Sequence, residues 1–214
     1  MIKIWGRKSS SNVQAVMWCI AELELPHQRI DAGFTYGIVG TPDYLAMNPN
    51  GTVPTIKDND NPPLWESGAI LRYLADAYAQ DPFWPADPVA RANVDRWAEW
   101  AKINVALNFT APVFWRVVRT APSKRDPVAI RAAMAMLDRY LDIAEAQLQQ
   151  TPYLAGAALT LADIQFGHNL YRYFTIDIDR RDRPALAAYY QTLVGRQAFA
   201  DHVMVSYDEL FETD

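Results

Sequence analysis

Cysteine is almost missing from this 214-residue chain: Cys19 stands alone, so neither an internal disulfide nor a Cys-x-x-Cys redox pair can form. That composition predicts a reducing, cytoplasmic home. Histidine is scarce too. His27, His168 and His202 lie far apart, with no second histidine at helical spacing, which argues against a metal centre. No apolar run approaches the roughly 20 residues that cross a bilayer, and residues 1–5 read as a strand and not as a secretion signal. Lys/Arg runs are absent and the net charge is -5, so the chain lacks the electrostatic footprint of a nucleic-acid binder. Gly33, Gly37 and Gly40 do not match the dinucleotide fingerprint, and neither a Gly-Lys-Ser/Thr loop nor a Gly-x-Ser-x-Gly elbow occurs. Cys19 itself falls in mid-helix, beyond the reach of a helix N-terminus that would lower its pKa, and reads as a core thiol.

What the chain does have is apolar and aromatic bulk. Half its residues are hydrophobic, and 7 Trp with 11 Tyr exceed what a core of this size requires. Such a surplus suits a protein that keeps an apolar pocket open. The first eighty residues alternate strand and helix signals. Strands are predicted over 3–6, 28–32, 53–57 and 64–65, and helices over 12–24, 42–45 and 67–78. The order is βαβ followed by ββα. Pro82, Pro85 and Pro88 mark a stiff connector. Beyond it strand signals vanish, and helices are predicted over 88–120, bent at Pro112, and over 127–149, 160–174 and 184–194. The expected architecture is therefore α/β plus all-α, with domains at 1–80 and 88–214 and a linker at 81–87.

Four local patterns carry chemistry. Ser9-Ser10-Ser11-Asn12 sits between the first strand and the first helix, where hydroxyls cap a helix or donate to an anion at its N-terminus. In Asn48-Pro49-Asn50-Gly51-Thr52-Val53-Pro54, a tight-turn signal leads to a proline at the head of a strand. A cis Val53-Pro54 bond would leave the Val53 backbone groups free to pair with an extended peptide. Glu66-Ser67 opens a helix directly after a strand, so Ser67 can cap it or bind a carboxylate while Glu66 meets an ammonium. Thr160-Leu161-Ala162-Asp163 reads as a capping box, with Leu159 and Ile164 as its hydrophobic staple.

These four motifs, in this order and covering nearly the whole chain, resemble the cytosolic glutathione transferase family, in its bacterial serine-type forms. The resemblance implies a thioredoxin-like domain followed by a helical-bundle domain, usually as a homodimer joined through the helix at 67–78 and the start of that at 88–120. It implies glutathione as co-substrate, a small hydrophobic electrophile and no metal. Val53 would pair with the cysteinyl backbone beside cis Pro54, and Glu66 and Ser67 would hold the γ-glutamyl end. The catalytic hydroxyl falls at Ser10, six residues before Val16, as in theta- and delta-like enzymes. No Tyr precedes Tyr36, which sets aside the tyrosine type, and serine occupies the place of the cysteine type. Ser11 is an alternative to Ser10. Ser10 with Asn12 also resembles the nu-like pattern, which favours glutathione-dependent disulfide reduction. A non-catalytic binding protein of the same fold is a third reading.

Where many members carry His or Lys to meet the glycyl carboxylate, Gly37-Ile38-Val39-Gly40 offers only backbone. Val39, or in its stead Lys8, Arg7 or Asn48, is the expected contact. By position in the family's fold, the electrophile would rest against Asn104, Asn108, Phe109, Trp115 and Arg119. The implied chemistry is thiolate activation: a hydroxyl donating to sulfur at a helix N-terminus. Lowering the thiol pKa by about two units requires about 2.7 kcal/mol, the scale of one charge-assisted hydrogen bond plus a helix end.

Overall fold

The computed structural model describes residues 1–213. Strand β1 (Ile2–Trp5) turns Ile2 and Ile4 into the core and Lys3 outward, the alternation of a half-buried strand. Helix α1 (Ser11–Glu22) carries the chain back to β2 (His27–Ile30), which pairs with β1 in parallel. A 3-10 turn, Phe34–Tyr36, and α2 (Pro42–Met47) lead to β3 (Thr55–Asp58), antiparallel to β1, and then to β4 (Leu64–Trp65). The sheet order is β2-β1-β3-β4, and α3 (Ser67–Tyr78) packs beside α1. The thioredoxin-like plus all-helical architecture expected from sequence is the one observed. The strand expected from Val53 begins at Thr55, which pairs with Trp5 and Trp65, because Pro54 has no N–H to donate to a ladder.

Helix α4 spans 88–118. Asp87 caps it, accepting from the Ala90 N–H at 2.8 Å, with Pro88 in the first turn. Its ladder widens into π-helical turns at Ala101–Ala106 and Thr110–Trp115. Pro112 lies within the second, where its missing N–H removes one rung and the helix passes by widening. Then come α5 (Pro127–Leu148), α6 (Leu161–Gly167), α7 (Leu170–Thr175), α8 (Pro184–Val194) and α9 (Gln197–His202). The helix expected over 160–174 is thus two, broken at 168–169. At Gly167 an added Cβ would lie 2.7 Å from Leu193 and 2.9 Å from Trp18, so α6 ends in close contact with α8 and α1. Helix α9 has no counterpart in the sequence reading; six residues are too few to show a period.

The two domains share one apolar core. Trp18 of α1 stands edge-on to Phe199 of α9, with ring centroids 4.9 Å apart. Its Nε1–H donates to Glu22, which also holds Arg196 at 2.5 Å. Arg72 of α3 reaches Asp95 at 2.7 Å and Glu99 at 2.5 Å on α4. Helices α1 and α3 are therefore fixed against the helical domain.

Candidate active site

The chain enters α1 through Ser10, an extended N-cap whose side chain makes no capping bond. The Ser10 amide donates to Arg7 O at 3.2 Å, and Ser10 O accepts from the Gln14 N–H at 2.8 Å. The three serines divide by what they touch. The Ser9 hydroxyl donates to Glu209 in the C-terminal segment and accepts from Arg7 Nε at 3.0 Å, so it is engaged structurally. The Ser10 and Ser11 hydroxyls, each 9% exposed, have no partner among the described residues. Asn12 is exposed, and its Oδ1 accepts from the Ser67 hydroxyl at 3.3 Å, tying the N-terminus of α1 to that of α3.

The Val53-Pro54 bond is cis, and the Val53 backbone N–H and C=O have no hydrogen bond among the described residues. Glu66 is the N-cap of α3 and takes φ 71°, ψ 112°, a strained geometry for a non-glycine residue that marks positions held for function. Neither α1 nor α3 has a side-chain cap, so their first N–H groups remain open to an anion. Lys102, in the first π-helical turn of α4, brings its ammonium to 3.3 Å from Ser67 Oγ and 3.4 Å from Glu66 Oε2. Gly68 makes room for it: an added Cβ would lie 3.3 Å from Lys102 Nζ. Lys102 was not legible as a site residue, since only the packing of α4 on α3 brings it there.

Other expected contacts fall elsewhere. Asn48 is buried with both amide hydrogens spent on Thr52 O (2.9 Å) and Thr55 Oγ1 (3.1 Å), while its Oδ1 accepts from Asn50. It shapes the loop and has no donor left for a glycyl carboxylate. The Val39 N–H is likewise spent on Gly37 O at 2.9 Å. Lys8 lines two clefts, one with His27 and His202 and one with Ser9, Tyr36 and Glu209 beside the serine loop. Phe109 is a correction: it is 1% exposed and packs against Phe114 and Tyr173, both with ring centroids at 6.1 Å, so its ring belongs to the core. Asn108 donates to Asn104 O at 2.8 Å, one turn back on the same helix. Trp115 and Arg119 do stand at the surface beside the serine loop. Arg119 lies over the Trp115 ring at 5.0 Å and over Phe34 at 5.5 Å.

The electrostatics around the serine loop are positive. Arg172, buried, donates to Ser9 O at 2.5 Å and lies over Phe114 at 4.6 Å, while its Nε has no partner. Burial, with Arg7 nearby, lowers its pKa to about 10. Burial likewise lowers Arg7; Glu209 opposes that shift and Arg119 adds to it. Cys19 is wholly buried, which pushes its thiol up and leaves it protonated. Phe34, Arg172 and Glu209 join the loop only through long-range packing and gave no local signal in the sequence. Among the described residues no group of three or more His, Cys, Asp or Glu could hold a metal.

A cis-proline loop beside two uncapped helix N-termini, on a thioredoxin-like sheet locked to a helical domain, defines a thioredoxin-fold enzyme of the two-domain kind. Comparison with known proteins narrows the class. Residues 9–77 match the glutathione S-transferase N-terminal domain and 127–192 the C-terminal domain. The chain is 37% identical to glutathione S-transferase GstB of Escherichia coli K12, over 96% of this chain and 99% of that one. It is 41% identical, with a TM-score of 0.90, to the theta class glutathione S-transferase of Xanthomonas axonopodis pv. citri with glutathione bound, covering 96% and 98% of the two chains. It is also 32% identical to elongation factor 1-gamma of Prunus avium, over 78% of this chain but 39% of that longer one. The chain belongs to the glutathione S-transferase family and is an enzyme of that family.

Proposed function

We propose that the chain binds glutathione across the N-termini of α1 and α3 and conjugates its thiolate to a small electrophile. The observation that carries this reading is the unspent Ser10 hydroxyl at an uncapped helix N-terminus. Such a donor, with the helix dipole behind it, favours sulfur as the anion. Serine need not ionise, since it only donates. The Val53 backbone groups pair with the cysteinyl residue as a neighbouring strand would. Glu66 meets the γ-glutamyl ammonium, and Ser67 with the Lys102 ammonium meets its carboxylate. The buried Arg172 adds positive potential behind the loop.

A second reading rests on Asn12. Its Oδ1 is spent on Ser67, but its Nδ2 has no partner among the described residues and offers a second donor to sulfur. With both donors present the thiolate attacks a disulfide sulfur: a new S–S bond forms, the old one breaks, and the departing thiolate takes a proton from solvent. A paired assay separates the readings. Aryl-halide conjugation and mixed-disulfide reduction are measured for wild type, Ser10→Ala, Ser11→Ala and Asn12→Ala. Loss of conjugation on Ser10→Ala supports the transferase, and loss of reduction on Asn12→Ala supports the reductase. Retained glutathione binding with neither rate changed in any variant overturns the assignment of these donors, and no rate above background in wild type overturns both readings and leaves a binding protein.

The same reading takes the chain as a cytoplasmic homodimer. Trp65, Tyr78, Val89, Ile103 and Leu107 on and beside α3 and α4 are exposed apolar side chains. Such surface is what a partner copy covers. Light scattering after size exclusion checks the mass.

A further inference from the structure

Two guanidinium groups hold one exposed ring at the mouth of the serine loop. Arg7 Cζ lies 5.3 Å and Arg119 Cζ 5.5 Å from the centroid of Phe34. Phe34 is 45% exposed and has φ 55°, so a bulky residue is held in a left-handed turn to keep that ring in place. Trp115, 44% exposed, continues the aromatic surface on the other side of Arg119. The charges here do not balance. Glu209, the acid of this cluster, already accepts the Ser9 hydroxyl and stands 3.9 Å from Arg7 Nε. Arg119 makes no ion pair among the described residues, and its charge works against that of Arg7. Arg172 adds a third guanidinium from below.

Three cations and one carboxylate thus converge in a chain whose net charge is -5. Gathering like charges costs free energy unless an anion offsets it. The glutathione thiolate accounts for one negative charge, at the Ser10 end, and its glycyl carboxylate, for which Arg7 remains a candidate partner, for a second. Arg119 lies beyond it, on the aromatic side.

We propose that the electrophile is an aromatic ring bearing an anionic substituent, a carboxylate or sulfonate. The charge sits at Arg119 and the ring against Phe34 and Trp115. The proposal rests on the transferase reading and names its substrate class. The thiol proton passes to solvent, and the sulfur attacks the ring carbon that bears a halide. The C–S bond forms, the carbon–halogen bond breaks, and halide leaves with the electron pair.

The test compares a chlorodinitrobenzoate with its neutral amide, each rate divided by the uncatalysed one, for wild type, Arg119→Met and Arg119→Lys. Wild type is expected to favour the benzoate by about tenfold in kcat/KM, the scale of one charge-assisted contact. Arg119→Met removes most of that preference and Arg119→Lys restores part of it. A second readout needs no turnover: quenching of tryptophan fluorescence as dinitrobenzoate or dinitrobenzamide, both lacking the halide, binds the glutathione-loaded protein. If neither halide reacts but benzoate binding is favoured and depends on Arg119, the transferase reading falls and the anion seat stands. Equal handling of acid and amide in wild type, or an unchanged preference in Arg119→Met, overturns the proposal. So does an Arg119→Met effect confined to the KM for glutathione.

Discussion

The N-termini of α1 and α6 both begin at a hydroxyl residue, Ser10 and Thr160, and are put to opposite uses. At α6, Asp163 accepts from the Thr160 N–H at 2.8 Å, the Thr160 hydroxyl at 2.9 Å, the Leu154 N–H at 3.0 Å and the Tyr189 hydroxyl at 2.9 Å. Every polar atom of this capping box is spent inside the fold. At α1, Ser10 and Ser11 hold hydroxyls that no described residue claims, and the first N–H groups have no side-chain cap. Among the other helices of eight residues or more, α4 and α5 are capped by Asp87 and Asp126, and Glu145 accepts from the first amides of α8. Among the described helices of that length only α1 and α3 stay open, and the hydrogen bond from Ser67 to Asn12 joins their ends. Stability is concentrated where donors are paired, and ligand capacity where they are not.

The sharpest break in this contrast comes from Asp163. Replacing it with Ala strands four buried donors and should cost about 3–5 kcal/mol in urea unfolding; a loss under about 1 kcal/mol would mean that this end is no more committed than the other. His168 lies at the closing turn of the same helix. Burial is the main cause that lowers its pKa to about 4, so it stays neutral in the fold while the unfolded chain takes up a proton near pH 6.5. The unfolded state then binds more protons between those values. Stability should fall by up to about 3 kcal/mol as pH drops from about 6.5 to 4. His168→Gln should flatten that part of the profile, and an unchanged slope would refute the assignment.

The open end should respond in activity and not in stability. Ser10→Ala is expected to reduce conjugation kcat/KM about thirtyfold, the equivalent of about 2 kcal/mol, since the helix end remains. Its unfolding midpoint should hardly move, because its hydroxyl bonds to nothing in the fold. The smallest effect falls on Lys102. Lys102→Met should raise the KM for glutathione about fivefold and leave kcat nearly unchanged, as loss of a ground-state contact would. A fall in kcat with KM constant would move Lys102 out of the γ-glutamyl subsite.

How far the sequence could be read depended on whether the governing contacts were local. Helices α3 and α8 appear at their expected bounds, and the Thr160–Asp163 box was legible because all its parts lie within one turn. Ser10, Val53 and Glu66-Ser67 were legible as ordered motifs. Phe109 was misplaced for a definite reason. It was placed by position in the family's fold, and such a position does not say which way a ring on α4 turns; here the ring turns inward against Phe114 and Tyr173. Asn48 looked like a free amide because its three partners in the 50–55 turn cannot be counted from composition. Lys102, Phe34, Arg172 and Glu209 meet the loop from distant parts of the chain, and only assembly of both domains brings them together.

The central claim is that an unclaimed hydroxyl at an open helix end stabilises a sulfur anion. Ultraviolet titration of glutathione bound to the protein reads that anion directly, through thiolate absorbance against pH. The bound thiol should ionise about two units below free glutathione in wild type and return most of the way in Ser10→Ala. Identical titration curves for the two proteins, with glutathione bound to both, would contradict it.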